Sequence, residues 1–192
     1  MKISIIGQGN MAKAIQAHLQ DAGNHVELVG REVDVPLAEI VILAIPYAAH
    51  EEFARAHQEK LANKIVIDIS NPVNFATLEE LIVPPGQSAT QLLQQKLPQS
   101  FVLKAFNTTS AFMLNNKMVG ERDLPTVLIA GDHAPAKQQL LQALEGANLN
   151  AVDVGGLKQA SQLEALGLLQ MYLVKNGFTE KTGGFSLLGL KK

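Results

Sequence analysis

The chain has 192 residues, no cysteine, a formal net charge of -2, and 47% hydrophobic against 18% charged residues. That length suits one well-buried domain with room for a small C-terminal appendage. The missing cysteines exclude disulfides, thiolate catalysis and cysteine-ligated metals; the near-neutral charge gives no electrostatic reason to expect nucleic acid or an anionic membrane as partner; and no apolar run reaches the ~18–20 residues of a bilayer-spanning helix.

The first predicted strand begins at Lys2, which leaves no room for a signal peptide and makes the cytoplasm the expected location. This strand, Lys2–Ile6, runs straight into Gly7-Gln8-Gly9-Asn10-Met11-Ala12, inside which a helical pattern opens from Met11 to Ala22. Gly-x-Gly-x-x-Ala between strand and helix is the fingerprint of a dinucleotide site. Gly7 makes the tight turn, Gly9 lets the backbone approach a pyrophosphate, and Ala12 keeps helix and strand close. The free N–H groups and positive dipole end of the helix favour the anion.

The second predicted strand, His25–Val29, ends in Gly30-Arg31. A site for a free ribose 2′-hydroxyl places an acid here. A glycine followed by a guanidinium instead suits a 2′-phosphate, so NADP(H) is expected over NAD(H). The segment from Glu32 to Glu39 is too short for an ordinary crossover helix and reads as a minimal loop or a stub.

The third strand, Ile40–Ile45, is continuously apolar, as a strand covered on both faces should be. It ends in Pro46-Tyr47, before a helix from Ala48 to Ala62. The fourth, Lys64–Ile69, ends in Ser70-Asn71-Pro72. Because ligands of open α/β sheets lie beyond the carboxyl ends of the strands, Ala44, Ile45, Pro46, Tyr47, Asn71 and Pro72 are candidate cofactor contacts. A loop from Val73 to Gly86 and a helix from Ser88 to Leu97 lead to the fifth strand, Phe101–Ala105. That strand opens into Phe106-Asn107-Thr108 at the same edge.

The segment from Asn115 to Pro125 reads as a loop, followed by strand Thr126–Ala130, helix Pro135–Glu145 and strand Asn150–Val154. The last helix, Ser161–Lys175, spaces Leu163, Leu166, Leu169 and Leu173 on one face, which Met171 and Tyr172 widen. That width is enough to pack on a second subunit. The tail Thr182–Leu188 is flexible and apolar, suited either to closing over an active site or to docking on the body.

The whole reads as an α/β protein: a Rossmann-type, doubly wound, mostly parallel sheet with a short C-terminal helical extension. The dinucleotide-binding domain is expected over residues 1–157, with a helix and tail over 158–192 packed on it or on a dimer partner.

Catalytic groups are conspicuously few. His18, His25, His50, His57 and His133 show no metal-ligand spacing and read as surface or cap residues. Asp68 and Asp132, near strand ends, read as caps or turn formers. No lysine or histidine general acid is evident at a strand end. Hydride passing between two cofactor rings needs alignment more than a protein proton donor, whereas carbonyl reduction normally needs the donor.

The run Gly7–Ala12, the Gly30-Arg31 pair, Ala44-Ile45-Pro46 and Lys104-Ala105-Phe106-Asn107-Thr108 together resemble the NADPH-dependent deazaflavin (coenzyme F420) reductases. They are similar also to the cytoplasmic domain of the STEAP-type metalloreductases. The resemblance implies a usually dimeric Rossmann protein that moves hydride between NADP(H) and a flavin or deazaflavin stacked on the nicotinamide. By the same resemblance, Gln8 to Ala12 hold the pyrophosphate and Arg31 the 2′-phosphate. Ala44 to Tyr47, with Asn71 and Pro72, line the path from adenosine to nicotinamide, which Phe106, Asn107 and Thr108 border. Three readings follow: an NADPH-dependent flavin or deazaflavin reductase, an NADPH-dependent reductase of a small imine or carbonyl, and a non-catalytic NADP(H) sensor.

Overall fold

Residues 1–30 and 32–190 are described by a computed structural model. Five short apolar runs form a parallel sheet: β1 (Lys2–Ile6), β2 (His25–Val29), β3 (Ile40–Leu43), β4 (Ile65–Asp68) and β5 (Phe101–Lys104). Their order is β2-β1-β3-β4-β5, so the chain reverses its direction of travel between β1 and β3. A crevice opens at such a switch point, outside the carboxyl ends of the strands.

Successive strand residues feed opposite faces. Ile3, Ile5, Ile40, Ile42, Ile65 and Ile67 join one core, against Ile15 and Leu19 of α1 (Asn10–Asp21), Leu114 of α4 (Ala111–Asn116) and Leu140 of α5 (Ala134–Leu144). Ile6, Val41, Leu43, Val66 and Val102 join the other, against Phe53 and Leu61 of α2 (His50–Leu61) and Leu93 of α3 (Ala89–Lys96). Covering on both faces is why these strands read as unbroken apolar runs. The sheet is doubly wound, as expected.

Between β2 and β3 the described residues form no helix but a loop, pinned by side chains: Ala38 N–H donates to Ser4 Oγ at 3.0 Å, and Lys64 Nζ donates to the Leu37 carbonyl at 3.0 Å. Beyond β5, the strands β6 (Thr126–Ile129) and β7 (Asn150–Asp153) pair in parallel with each other. β6 meets β5 antiparallel through reciprocal Lys104–Ala130 backbone hydrogen bonds of 2.9 and 3.0 Å. The short helix α4 precedes the expected loop and shares only Asn115 and Asn116 with it: Ser110 caps it by accepting from Met113 N–H, and its end coincides with Lys117 at φ 56°.

Helix α6 (Ala160–Lys175) closes the fold and packs beside α3. The tail after it is docked rather than free. Gly120 N–H donates to the Thr182 carbonyl at 3.1 Å and Ser110 Oγ to the Lys181 carbonyl at 3.2 Å. A side chain at Gly184 would strike Met113 and Gln170, so the glycine lets the tail lie against both α4 and α6. Among the described residues no helix is long and apolar enough to cross a membrane.

Candidate active site

The glycine loop joins three strands at the switch point. Gly7 sits at φ 122°, and its N–H donates to the Val29 carbonyl at 2.9 Å. A Cβ there would overlap the Ala44 carbonyl oxygen, so only glycine lets β1, β2 and β3 converge at this turn. Gly9 is different: its conformation is ordinary, and a Cβ would meet no protein atom within 4 Å. Gly9 stands at the N-cap of α1, where no side chain accepts a helix N–H and the first turn holds no acid. Uncapped amides beside open space form a cradle that fits a phosphate anion. Gln8, Gly9 and Asn10 are exposed at its rim, Met11 is half-buried, and Ala12 is fully buried between helix and sheet.

Beside the loop lies a cavity of about 500 Å³, with walls that include Ile6, Ile45, Pro46, Phe53 and His57. Ala44 and Gly30 are half-buried at the neighbouring strand ends. Burial, reinforced by Lys60, pulls the His57 imidazole below its ordinary pKa. Tyr47 is half-buried, its ring edge-on to His50 at 5.6 Å, and burial raises its phenol. Arg31 lies outside the described residues.

At the β4 and β5 exits the side chains interlock. Asn107 Nδ2 donates to Asn71 Oδ1 at 2.9 Å and to the Leu163 carbonyl at 2.8 Å, while Asn71 Nδ2 donates to the Asn107 carbonyl at 2.8 Å. A Cβ at Gly167 of α6 would collide with Asn71 Oδ1, so glycine is required where the helix crosses this pair. Asn107 Oδ1 is buried without a donor. Pro72 and Thr108 are buried alongside.

Phe106, expected with Asn107 and Thr108 at this edge, stands apart from them. Its backbone adopts φ 61°, which turns the side chain into the apolar core, fully buried against Leu103 and Leu114. Only the backbone of Phe106 remains at the edge, with its carbonyl accepting from Thr109 Oγ1 at 2.8 Å.

Sequence reasoning missed a buried ionic cluster beneath this edge. Lys104 Nζ lies 2.8 Å from Asp68 Oδ2, 2.9 Å from Glu164 Oε1 and 2.7 Å from the Ser70 carbonyl, with all three ionisable side chains wholly buried. Asp68 also accepts from Ser70 N–H and Thr90 Oγ1, each at 2.8 Å, and Glu164 accepts from Ala89 N–H at 3.1 Å. Burial alone would raise the Asp68 carboxyl, but Lys104, His50 and these hydrogen bonds outweigh it and hold it at about 2. Burial dominates at Glu164 and raises its carboxyl despite Lys104.

His50 is not the expected surface or cap histidine. It is 3% exposed, 3.6 Å from Asp68 Oδ1, and burial lowers its pKa. Asp68 is likewise more than the turn former expected of it, whereas Asp132 does cap, accepting from Leu157 N–H at 2.7 Å. The signal available in the sequence was a lysine at the end of an otherwise apolar strand, which needs a buried acid. Among the described residues no group of acids and histidines could hold a metal.

The sheet order and the glycine turn together define a Rossmann-type α/β fold. The chain matches no protein-family profile. It is 28% identical over 186 residues to the metalloreductase STEAP3 of Rattus norvegicus, covering 87% of this chain and 36% of that protein. It is 27% identical over 166 residues to the F420-dependent NADP reductase of Methanocaldococcus jannaschii, covering 81% and 71% of the two chains. In structure it superposes on a proposed F420-dependent NADP reductase from Arthrobacter sp. FB24 with a TM-score of 0.81 and 24% identity, over 97% of this chain and 99% of the other. Both groups named from the motifs are therefore among its relatives, and the chain spans about a third of the length of its metalloreductase relatives.

Proposed function

We propose that the protein is an NADP(H)-dependent oxidoreductase that transfers hydride between the nicotinamide and a flavin or deazaflavin. The observation that carries this reading is the open, uncapped N-terminus of α1 beside Gly9 at the β1/β3 switch point. Its support from relatives is the similarity to proteins named as NADP and metal reductases.

In this reading Gln8 to Ala12 hold the pyrophosphate, and Gly30 and Arg31 accept the 2′-phosphate. Ala44 to Tyr47 line the adenosine side of the cavity. Asn71, Pro72, Asn107 and Thr108, with the Phe106 backbone, border the nicotinamide. Bound NADPH supplies the hydride; the protein aligns the two rings and excludes water, and no side chain is assigned as a proton donor. Residues 1–157 act as the dinucleotide domain, and 158–192 as an extension whose exposed Leu169, Tyr172, Phe178 and Leu188 seat a second copy in a cytoplasmic homodimer.

Stopped-flow mixing of NADPH-loaded protein with flavin mononucleotide or a deazaflavin is expected to give oxidation of NADPH that depends on acceptor concentration. Tight NADPH binding without oxidation by either would overturn this reading and leave the imine or carbonyl reductase and the sensor.

A further inference from the structure

Lys104 is a buried cation that the proposed hydride transfer does not use. Following its contacts outward gives a closed circuit. Lys104 Nζ holds the Ser70 carbonyl at 2.7 Å, and Ser70 N–H is held in turn by Asp68 Oδ1 at 2.8 Å. The next residue, Asn71, pairs with Asn107. Asn107 donates to the carbonyl of Leu163, the residue before Glu164, and Glu164 returns to Lys104 at 2.9 Å.

The circuit ties β4, β5 and α6 together beneath the carboxyl edge. Glu164 also accepts from Ala89 N–H at the start of α3, which adds a fourth element. A cluster of this kind is weak evidence for stability, because apolar replacements of similar volume often serve as well. An apolar core would not, however, hold the Ser70 carbonyl from one side while an acid holds its N–H from the other.

We propose that Asp68, Lys104 and Glu164 form an ionic clamp whose role is to position the Asn71–Asn107 pair, and the α6 turn carrying Gly167, against the nicotinamide half of the site. Lys104 acts through Ser70 and Glu164 through the α6 backbone, so both are positioning residues that never touch the reactants. The inference rests on the reading of this edge as an NADP(H) site. The clamp lies on the β4/β5 side, whereas the glycine loop and the cavity lie at β1 and β3. Loss of the clamp therefore separates the two halves of the cofactor: the phosphate and adenosine half is untouched, while the nicotinamide half loses its setting.

The test uses two variants. Glu164→Gln retains one acceptor. The triple change Asp68→Leu, Lys104→Met and Glu164→Leu removes every buried charge of the clamp, so that no lone ion is left to unfold the protein. Calorimetric titration with NADP+ and with adenosine 2′,5′-bisphosphate, which lacks the nicotinamide, is run beside the melting temperature and the NADPH oxidation rate. For the folded triple variant the expected result is bisphosphate affinity within twofold of wild type, NADP+ affinity about tenfold weaker, and kcat at least tenfold lower. Glu164→Gln should fall between. Equal affinities and kcat in a folded triple variant, or equal weakening of both ligands, would overturn the clamp. Wild-type protein that bound neither ligand would overturn the site reading first, and the clamp with it.

Discussion

Asn107 and Asn71 exchange amides across the exits of β5 and β4: Asn107 Nδ2 donates to Asn71 Oδ1 at 2.9 Å, and Asn71 Nδ2 donates to the Asn107 carbonyl at 2.8 Å. The exchange fixes both side chains at this edge. It also orients Asn107 Oδ1, a buried acceptor that no protein donor fills. Replacing Asn107 by leucine leaves Asn71 Oδ1 and the Leu163 carbonyl without their donor. Leaving buried polar groups unpaired costs about 1–3 kcal/mol each. The variant is expected to lose about 2–4 kcal/mol in urea unfolding, with NADP+ affinity reduced more than affinity for adenosine 2′,5′-bisphosphate. An unchanged urea midpoint would contradict the pairing.

The two loop glycines should respond differently to the same added methyl group. At Gly7 a Cβ meets the Ala44 carbonyl and φ is 122°, so Gly7→Ala strains the backbone and parts β1 from β3. A loss of about 1–3 kcal/mol in unfolding free energy is expected. At Gly9 the Cβ enters open space, so Gly9→Ala should melt within a degree or two of wild type (a shift on the order of 0.5 kcal/mol or less). It should nevertheless bind NADPH at least ~10-fold more weakly, because the methyl group occupies the approach to the helix amides. Thermal melts paired with NADPH titration separate the two. A Gly9→Ala protein that kept full affinity would mean that the pyrophosphate lies elsewhere.

The sheet was legible because burial on both faces writes β1, β3 and β4 as apolar runs, and the glycine loop because its turn permits so few residues. Much else depends on contacts that sequence proximity does not reveal. Lys104, Asp68 and Glu164 come from two strands and a helix, and each alone resembles an ordinary charged residue. His50 was misread because a histidine at a helix start usually faces water, whereas here Asp68 lies under it. The six residues of α4 were too few to show a period. The inward turn of Phe106 depends on a left-handed backbone that an aromatic residue rarely adopts.

His50 and Asp68 lose their contributions to stability in acid in two separate pH windows. Burial depresses the His50 pKa below its ordinary 6.5, so its contribution is complete above that value and is lost as the pH falls through the folded pKa. Asp68 follows the same sign lower down: its stabilisation is complete above 3.8 and is lost as the pH falls toward about 2. The Asp68 shift corresponds to about 2 kcal/mol. Glu164, with a raised pKa, opposes both, since its contribution is present below the ordinary 4.5 and is lost as the pH rises through its folded value. Because Glu164 and His50 act in opposite directions between pH 8 and 5, the reading is the difference between the two proteins: over that interval urea unfolding should lose more stability in wild type than in His50→Gln. Parallel curves for the two proteins would show that His50 does not titrate with folding.

Arg31 carries the cofactor preference in the proposed function, on the chemistry of its position after Gly30. Glu27 precedes it within β2 and Glu32 follows it, so neither acid occupies the strand end where a ribose 2′-hydroxyl is ordinarily accepted. A guanidinium paired to a phosphate dianion contributes about 1.5–3 kcal/mol, or roughly 10–150-fold in affinity. Arg31→Ala should weaken NADPH by that factor and leave NADH unchanged, so that discrimination collapses while the melting temperature stays constant. The loss should shrink as salt rises, since salt screens the attraction between opposite charges over about 10 Å at 0.1 M. Equal binding of NADH and NADPH by wild-type protein would assign the end of β2 to a different ligand group and remove the 2′-phosphate from the site. An equal loss of both cofactors in the variant would instead place Arg31 on the shared pyrophosphate.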